Sequence, residues 1–592
     1  MDKELCWDLT ALYDGFETPD YQADFALLRQ AVESLKGWNG GEDAVRAAEE
    51  YIAAQNEIRS LAGRLYGYAS LTYSADTTNS VALARMETVA KETAELAAVE
   101  VRFARWLAKQ GELTLLAEQS ALLKEHLFFL QESVSYVEHL LSEAEELLYA
   151  RLRLTASSAW SQLHGQLTAT LQVEMKEAEG VVKRPLSEVR NLAFSGDAKI
   201  REAAYDAELL AYETIKDSGA ACLNGIKGEV ITLAKARGYA SPLARTVKEA
   251  RMEEGTLTAM LTALKEALPQ FRRFYRAKAA LFGYSGGLPF YDLFAPVGVL
   301  DKQYSYTAAK ATILESFRRF SPGLEAVARN AFEQRWIDVE PRRGKRGGAF
   351  CHSVHRIAQS RILCNFSGSF SHLTTIAHEL GHAYHAACLF KQPYLNTRYT
   401  MPIAETASIF CETVVKDAVL CNASEEERFV MLENDISDAG QVIVDIYSRY
   451  LFESELFRRR ENGALGADEL CSIMLKAQQE AYGDGLDQEK LHPYMWLNKP
   501  HYYSAGTNFY NFPYAFGLLF AKGLYAIYRK KGAAFVAEYD NLLAATGKDS
   551  LEEVAALAGI DIRTPAFWRE SLAEVTDQIE TFIGLAAKAG GR

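Results

Sequence analysis

The chain has 592 residues and a formal net charge of −14, from 64 Lys and Arg against 78 Asp and Glu. An acidic balance without a long basic block argues against a general nucleic-acid binder, and 49% hydrophobic with 24% charged residues excludes a disordered chain. Only 14 residues are proline, and none lies between Pro19 and Pro185, which excludes an all-β protein with turns at short intervals and predicts long, stacked helices.

The lead Met1-Asp2-Lys3-Glu4 is acidic and lacks the apolar run of a signal peptide. After Trp7-Asp8-Leu9-Thr10, the spacing of Val45, Ala48, Ile52, Ile58 and Leu61 predicts a helix from Glu42 to about Tyr73. Asp76-Thr77-Thr78-Asn79 reads as a turn with capping residues, and a second long helix is expected to reach about Lys109. Similar segments run to Arg184, where Pro185 and Ser187 mark a new start. We place a boundary there, between an N-terminal helical lobe, residues 1–190, and a second domain, residues 191–592.

Between about 283 and 370, Gly286-Gly287-Leu288-Pro289, Ala295-Pro296 and Arg346-Gly347-Gly348 punctuate short apolar runs. Ala349–Val354 and Arg361–Phe366 read as strands of a small sheet in an otherwise helical protein. The basic loop Gly344–Gly348 reads as solvated, with a flexible flap as the alternative. From 373 onward the chain is helical again, apart from an aromatic loop near 493–512. Ala515–Tyr528 is broken by Lys522 and too short to span a bilayer. Eight cysteines without a CxxC pair fit free thiols in a reducing compartment. These features describe a soluble, cytoplasmic protein that engages neither membrane nor nucleic acid.

The chemistry concentrates in His378-Glu379-Leu380-Gly381-His382, an HExxH motif. Histidines at i and i+4 on a helix project side by side and can share one metal ion. Glu379, beside them, is placed to take a proton from a metal-activated water. From Leu373 to Phe390 Glu379 is the only charged residue, so the helix should be buried nearly all round, and a lone carboxylate there is costly without a partner. A catalytic zinc needs a third protein ligand. His385 lies seven residues beyond His378, roughly 10 Å along a helix at about 1.5 Å per residue, too far to join the same ion. The better candidate is Glu405 on the next helix, Pro402–Glu412, with Glu412 on the same face as a partner for a ligand histidine.

His378–His385, followed by Glu405-Thr406-Ala407-Ser408 and Glu412, resembles the thimet oligopeptidase and oligoendopeptidase F family of zinc metallopeptidases. Trp7-Asp8-Leu9-Thr10, Lys345–Cys351 and Asn365-Phe366-Ser367-Gly368 are similar to the oligoendopeptidase F branch. The resemblance extends over nearly the whole chain. It implies a mainly α fold of two helical lobes enclosing a deep channel, with a small β-sheet beside the active site. It also implies one Zn2+ ion held by His378, His382 and Glu405, with Glu379 as the base.

Leu491–Lys530 holds twelve aromatics, where an 11% aromatic content predicts about four or five. Most read as core, but Pro500–Gly517 offers His501 and several tyrosine hydroxyls as donors to the negative charge that develops on an attacked carbonyl oxygen. The resemblance assigns that role to His501 and to tyrosines from this region, with Tyr510 and Tyr514 preferred and Tyr503 open. It further implies oligopeptide substrates of broad sequence, which can add to the Arg361–Phe366 strand through main-chain bonds. The expected activity is a zinc endopeptidase acting on short oligopeptides. The alternatives are an exopeptidase of carboxypeptidase type and a non-catalytic helical peptide-binding protein.

Overall fold

The computed structural model describes residues 5–177, 180–300 and 302–590; the acidic lead Met1–Glu4 lies outside them. The chain is mainly helical and divides into two compact units, each assembled from three stretches. The first comprises Met1–His139, Asp301–Cys421 and Ile527–Ile560, and the second Leu140–Leu300, Asn422–Ala526 and Asp561–Arg592. The chain passes between the units after His139, Leu300, Cys421, Ala526 and Ile560, the fourth of these inside the helix Phe512–Lys531.

In the first unit the helix Ala44–Ala75 begins where Asp43 accepts a hydrogen bond from the Arg46 amide. Its apolar stripe, Ala48, Tyr51, Ile52, Ile58, Leu61 and Leu65, enters a core shared with Trp7, Leu12, Tyr13, Leu28 and Phe103. Tyr51 and Phe103 stack with ring centroids 3.6 Å apart. Instead of one helix to Lys109, the chain forms Ser80–Ala94 and Ala97–Leu107. The Thr93 hydroxyl bonds back to the carbonyls of Val89 and Ala90 just before this break, a local bond that competes with helix continuation. The second piece then turns Val99, Phe103 and Leu107 into the core.

The expected small sheet is present, in the order Ile337–Asp338, Gln359–Leu363, Phe350–Val354. Phe350–Val354 and Gln359–Leu363 begin and end within three residues of the expected strands, and Ile337–Asp338 is an additional one. The central strand pairs parallel with the first and antiparallel with the last, Cys351 lying opposite Ile362. Because Gln359–Leu363 has neighbours on both sides, the expectation that a peptide adds to Arg361–Phe366 is corrected: the outer strands are Ile337–Asp338 and the longer Phe350–Val354. The Gly344–Gly348 loop is solvated at Arg346, Gly347 and Gly348, which are exposed, but not at Lys345. Lys345 pairs with Asp338 at 2.7 Å, its side chain fully buried, and also bonds the carbonyls of Glu340 and Cys364 at 2.8 and 2.5 Å. Arg342 holds the same carboxylate, so Lys345 ties the loop to the sheet. Trp7-Asp8-Leu9-Thr10 belongs to this layer, since the buried Arg361 donates to the Asp8 carbonyl at 2.7 Å.

The second unit packs Ala198–Tyr212, Lys216–Ala236, Ile446–Arg460 and Ala467–Tyr482 around Tyr212, Leu223, Ile226, Phe452, Leu470 and Trp496. Glu254–Leu281 lies along Pro565–Gly590. Before Pro185 the chain is a hairpin, Gln172–Glu177 with Gly180–Pro185, where a helix was expected. Glu, Met and Lys are good helix formers, yet Val173 and Met175 alternate with exposed neighbours, and that two-residue period prevails. Among the described residues no helix is long and apolar enough to cross a membrane.

Candidate active site

The HExxH motif lies in the helix Phe370–Leu389, whose first turn is capped by Ser369 accepting from the His372 amide. The helix buries Leu373, Ile376, Ala377, Leu380 and Ala383, leaving His378 and His382 about three-quarters buried. Gly381 allows the next helix, Thr406–Leu420, to come against it backbone to backbone. A Cβ at 381 would stand 2.5 Å from the Ala407 carbonyl oxygen. This approach delivers Glu405, which sits between Met401–Ala404 and Thr406–Leu420 with φ −92° and ψ 3°. Many active-site residues adopt this bridge conformation. Glu405 occupies the cap position of the helix, but its side chain does not cap it.

Its carboxylate turns instead to the histidines. Glu405 Oε2 lies 3.1 Å from His378 Nε2 and 3.3 Å from His382 Nε2. The two rings stand at 81° with centroids 5.0 Å apart. Ligands at about 2.0–2.1 Å around a tetrahedral ion lie about 3.3 Å from one another, so the three atoms fit the donor set of one divalent metal ion. The Ser408 hydroxyl donates to Glu405 at 2.8 Å. On the far side of His378, Nδ1 lies 3.2 Å from Glu412 Oε2, and Lys416 holds the other oxygen of Glu412 at 2.8 Å. Ser408 and Lys416 were not singled out from the sequence, although their i+3 and i+4 spacings from the two glutamates were there to read.

The electrostatics follow from this crowding. Burial disfavours a charged His378, yet its bonds to Glu405 and Glu412 prevail and hold its pKa at about 10. Burial also opposes ionisation of Glu405 and Glu412, but the histidines beside the first, and Lys416 with His378 beside the second, keep both below the usual carboxylate range. Glu379 goes the other way: it is 6% exposed, and burial raises its pKa against the pull of His382 and His378. A carboxyl shifted upward is closer to the value a general base needs near neutrality. The sheet is adjacent, since the Glu379 charge reaches Cys351 and adds to the rise that burial imposes on that thiol. His385 is a core histidine, fully buried, 2.8 Å from the Thr546 hydroxyl and stacked on Tyr399.

The second unit brings together His501, Tyr510 and Tyr514. His501 lies in the short turn Pro500–Tyr503, its ring 5.7 Å from that of Tyr510. The hydroxyls of Tyr510 and Tyr514 are 2.6 Å apart and both rings are half-buried. Tyr503 is different: it is 2% exposed and stacked on His164 at 3.4 Å, a ring of the core. Burial and the nearby positive charges of Arg449, Lys499 and Lys227 push His501 down to about 3, so its ring is neutral at physiological pH.

Known proteins share this framework. Oligopeptidase PepF of Bacillus subtilis is 23% identical over 95% of this chain and 84% of its own length. Group B oligopeptidase PepB of Streptococcus agalactiae is 24% identical over 99% and 98%. Among solved structures, a protein from Chlamydophila abortus superposes with a TM-score of 0.88 at 22% identity, over 99% of both chains. Oligoendopeptidase-F from Enterococcus faecium gives 0.69 at 18%, over 96% of this chain and 99% of its own. The sequence profile of peptidase family M3 matches residues 191–574, a span that holds the HExxH helix, Glu405 and the aromatic loop. The chain belongs to peptidase family M3 and is a metalloendopeptidase.

Proposed function

We propose that this enzyme is a zinc endopeptidase that cleaves internal bonds of short oligopeptides. The observation that carries the reading is the convergence of His378 Nε2, His382 Nε2 and Glu405 Oε2 beside the buried Glu379. His378, His382 and Glu405 would hold one Zn2+, which when bound supplies a Lewis acid and lowers the pKa of a coordinated water. Glu379 takes the proton of the attacking water and delivers it to the departing amine. Its elevated pKa strengthens it as the base in the first transfer. Glu412 orients His378 through Nδ1 and fixes the nitrogen that faces the metal. His501, Tyr510 and Tyr514 donate hydrogen bonds to the developing oxyanion, a role supported by their polar clustering and by the family resemblance. An extended substrate adding to Phe350–Val354 would be held through its main chain, which accords with broad sequence tolerance. The buried thiols Cys222, Cys364 and Cys411 are free, in keeping with a cytoplasmic setting.

The test is a digest of a peptide blocked at both ends, followed by mass spectrometry. We expect internal fragments, loss of activity with a chelator and recovery with zinc; an exopeptidase would leave the blocked peptide intact. Glu379→Gln should lower kcat by about 10²–10⁴-fold while the protein retains one bound metal. Full peptide cleavage by that variant would overturn the role of Glu379 as base.

A further inference from the structure

The surroundings of His501 specify which of its nitrogens carries the proton. A guanidinium has only N–H donors, so the Asn511 atom that Arg449 meets at 3.1 Å is the carbonyl oxygen. The other end of that amide, its NH2 group, lies 2.8 Å from His501 Nε2. An NH2 group donates, so Nε2 accepts and bears no proton. A neutral imidazole keeps one N–H, which here is on Nδ1.

The elements holding this amide are themselves fixed. Arg449 pairs with Asp445, the last residue of a π-helical turn, Gln441–Asp445, between Glu425–Gly440 and Ile446–Arg460. Such turns insert one extra residue and are frequent at functional sites. The loop entering Asn511 is clamped as well. Lys227, fully buried, bonds Glu453 at 2.8 Å and the Asn508 side chain at 2.9 Å. Glu453 accepts the Phe509 amide at 3.0 Å, and Phe509 has φ +52°, a left-handed conformation that is strained for a bulky residue.

We propose that Asp445, Arg449 and Asn511 are positioning residues that hold His501 as its Nδ1–H tautomer, making Nδ1 the atom that donates to the oxyanion. The proposal rests on the role given to His501 above. It is tested by long-range 1H–15N NMR of the full-length enzyme carrying 15N-histidine, with the His501 signals assigned by their disappearance in His501→Gln. The wild-type spectrum should show a protonated Nδ1 and an unprotonated Nε2. In Asn511→Asp the new carboxylate accepts from Nε2–H, so the pattern of the neutral ring should invert, with kcat down by about 10²–10³-fold, as for loss of one oxyanion donor; an imidazolium, which keeps Nδ1–H, with the same fall in kcat would overturn Nδ1 as the donating atom. A wild-type Nε2–H tautomer would overturn the proposal even if the variant failed to fold. An unchanged tautomer in Asn511→Asp would overturn it too. If the tautomer is as expected but His501→Gln retains full kcat, the positioning chain stands and the oxyanion role of His501 falls.

Discussion

Glu412 shows how much of the site depends on a residue that is not itself a candidate ligand. It is held by Lys416 on one side and faces His378 Nδ1 on the other, so its removal frees the imidazole to rotate. Glu412→Ala should weaken metal affinity about 10–100-fold, read as a rise in the free-zinc concentration needed to restore activity to the stripped enzyme. Unchanged zinc affinity would show that His378 is oriented by its helix alone. The histidines and Glu379 were legible as a group because a fixed spacing on a helix dictates a shared face, whereas Glu405 was read from the charge-poor stretch Pro402–Glu412 and from the family resemblance. Lys345 was not. Its glycine-flanked basic run reads as solvated, and only the fold places Asp338, seven residues earlier, beneath it.

At the scale of elements, the site is the crossing of two helices, and Gly381 sets their separation. Adding one methyl group there would meet the Ala407 oxygen at 2.5 Å and the Ser408 Cα at 2.6 Å, both backbone atoms that cannot swing aside. Gly381→Ala should therefore move Glu405 away from the histidine pair and destabilise the protein by about 1–3 kcal/mol, as overpacking does. Metal analysis should find substoichiometric zinc in a protein whose circular dichroism remains helical; one zinc per chain at wild-type affinity would contradict this. Helical periodicity made the long helices legible, whereas their interruptions were harder to read. The Thr93 back-bond and the Gln172–Pro185 hairpin arise where local bonding or a two-residue burial pattern overrides residues that favour a helix. The aromatic loop was legible as composition, but only its packing separates the core ring Tyr503 from the hydroxyl pair Tyr510 and Tyr514.

At the scale of the whole molecule, charge is buried as well as displayed. In the second unit Lys278 and Glu433 lie 2.6 Å apart with side chains 1% and 3% exposed, and Arg201 pairs with Asp292 at 2.7 Å, equally enclosed. Lys278→Met would leave Glu433 buried with the Ser437 hydroxyl but no cation, and should cost about 3–5 kcal/mol. Denaturant unfolding measures this, and the double variant with Glu433→Leu should recover most of the loss. The division into units has a separate consequence. The HExxH helix and Glu405 belong to the same unit as Ile527–Ile560, and His385 of that helix reaches Thr546. On a ribosome the candidate metal ligands would emerge more than a hundred residues ahead of the segment that backs the HExxH helix. The first unit therefore cannot close during most of vectorial synthesis, and metal capture by His378, His382 and Glu405 in their final geometry would be a late event in the life of the nascent chain.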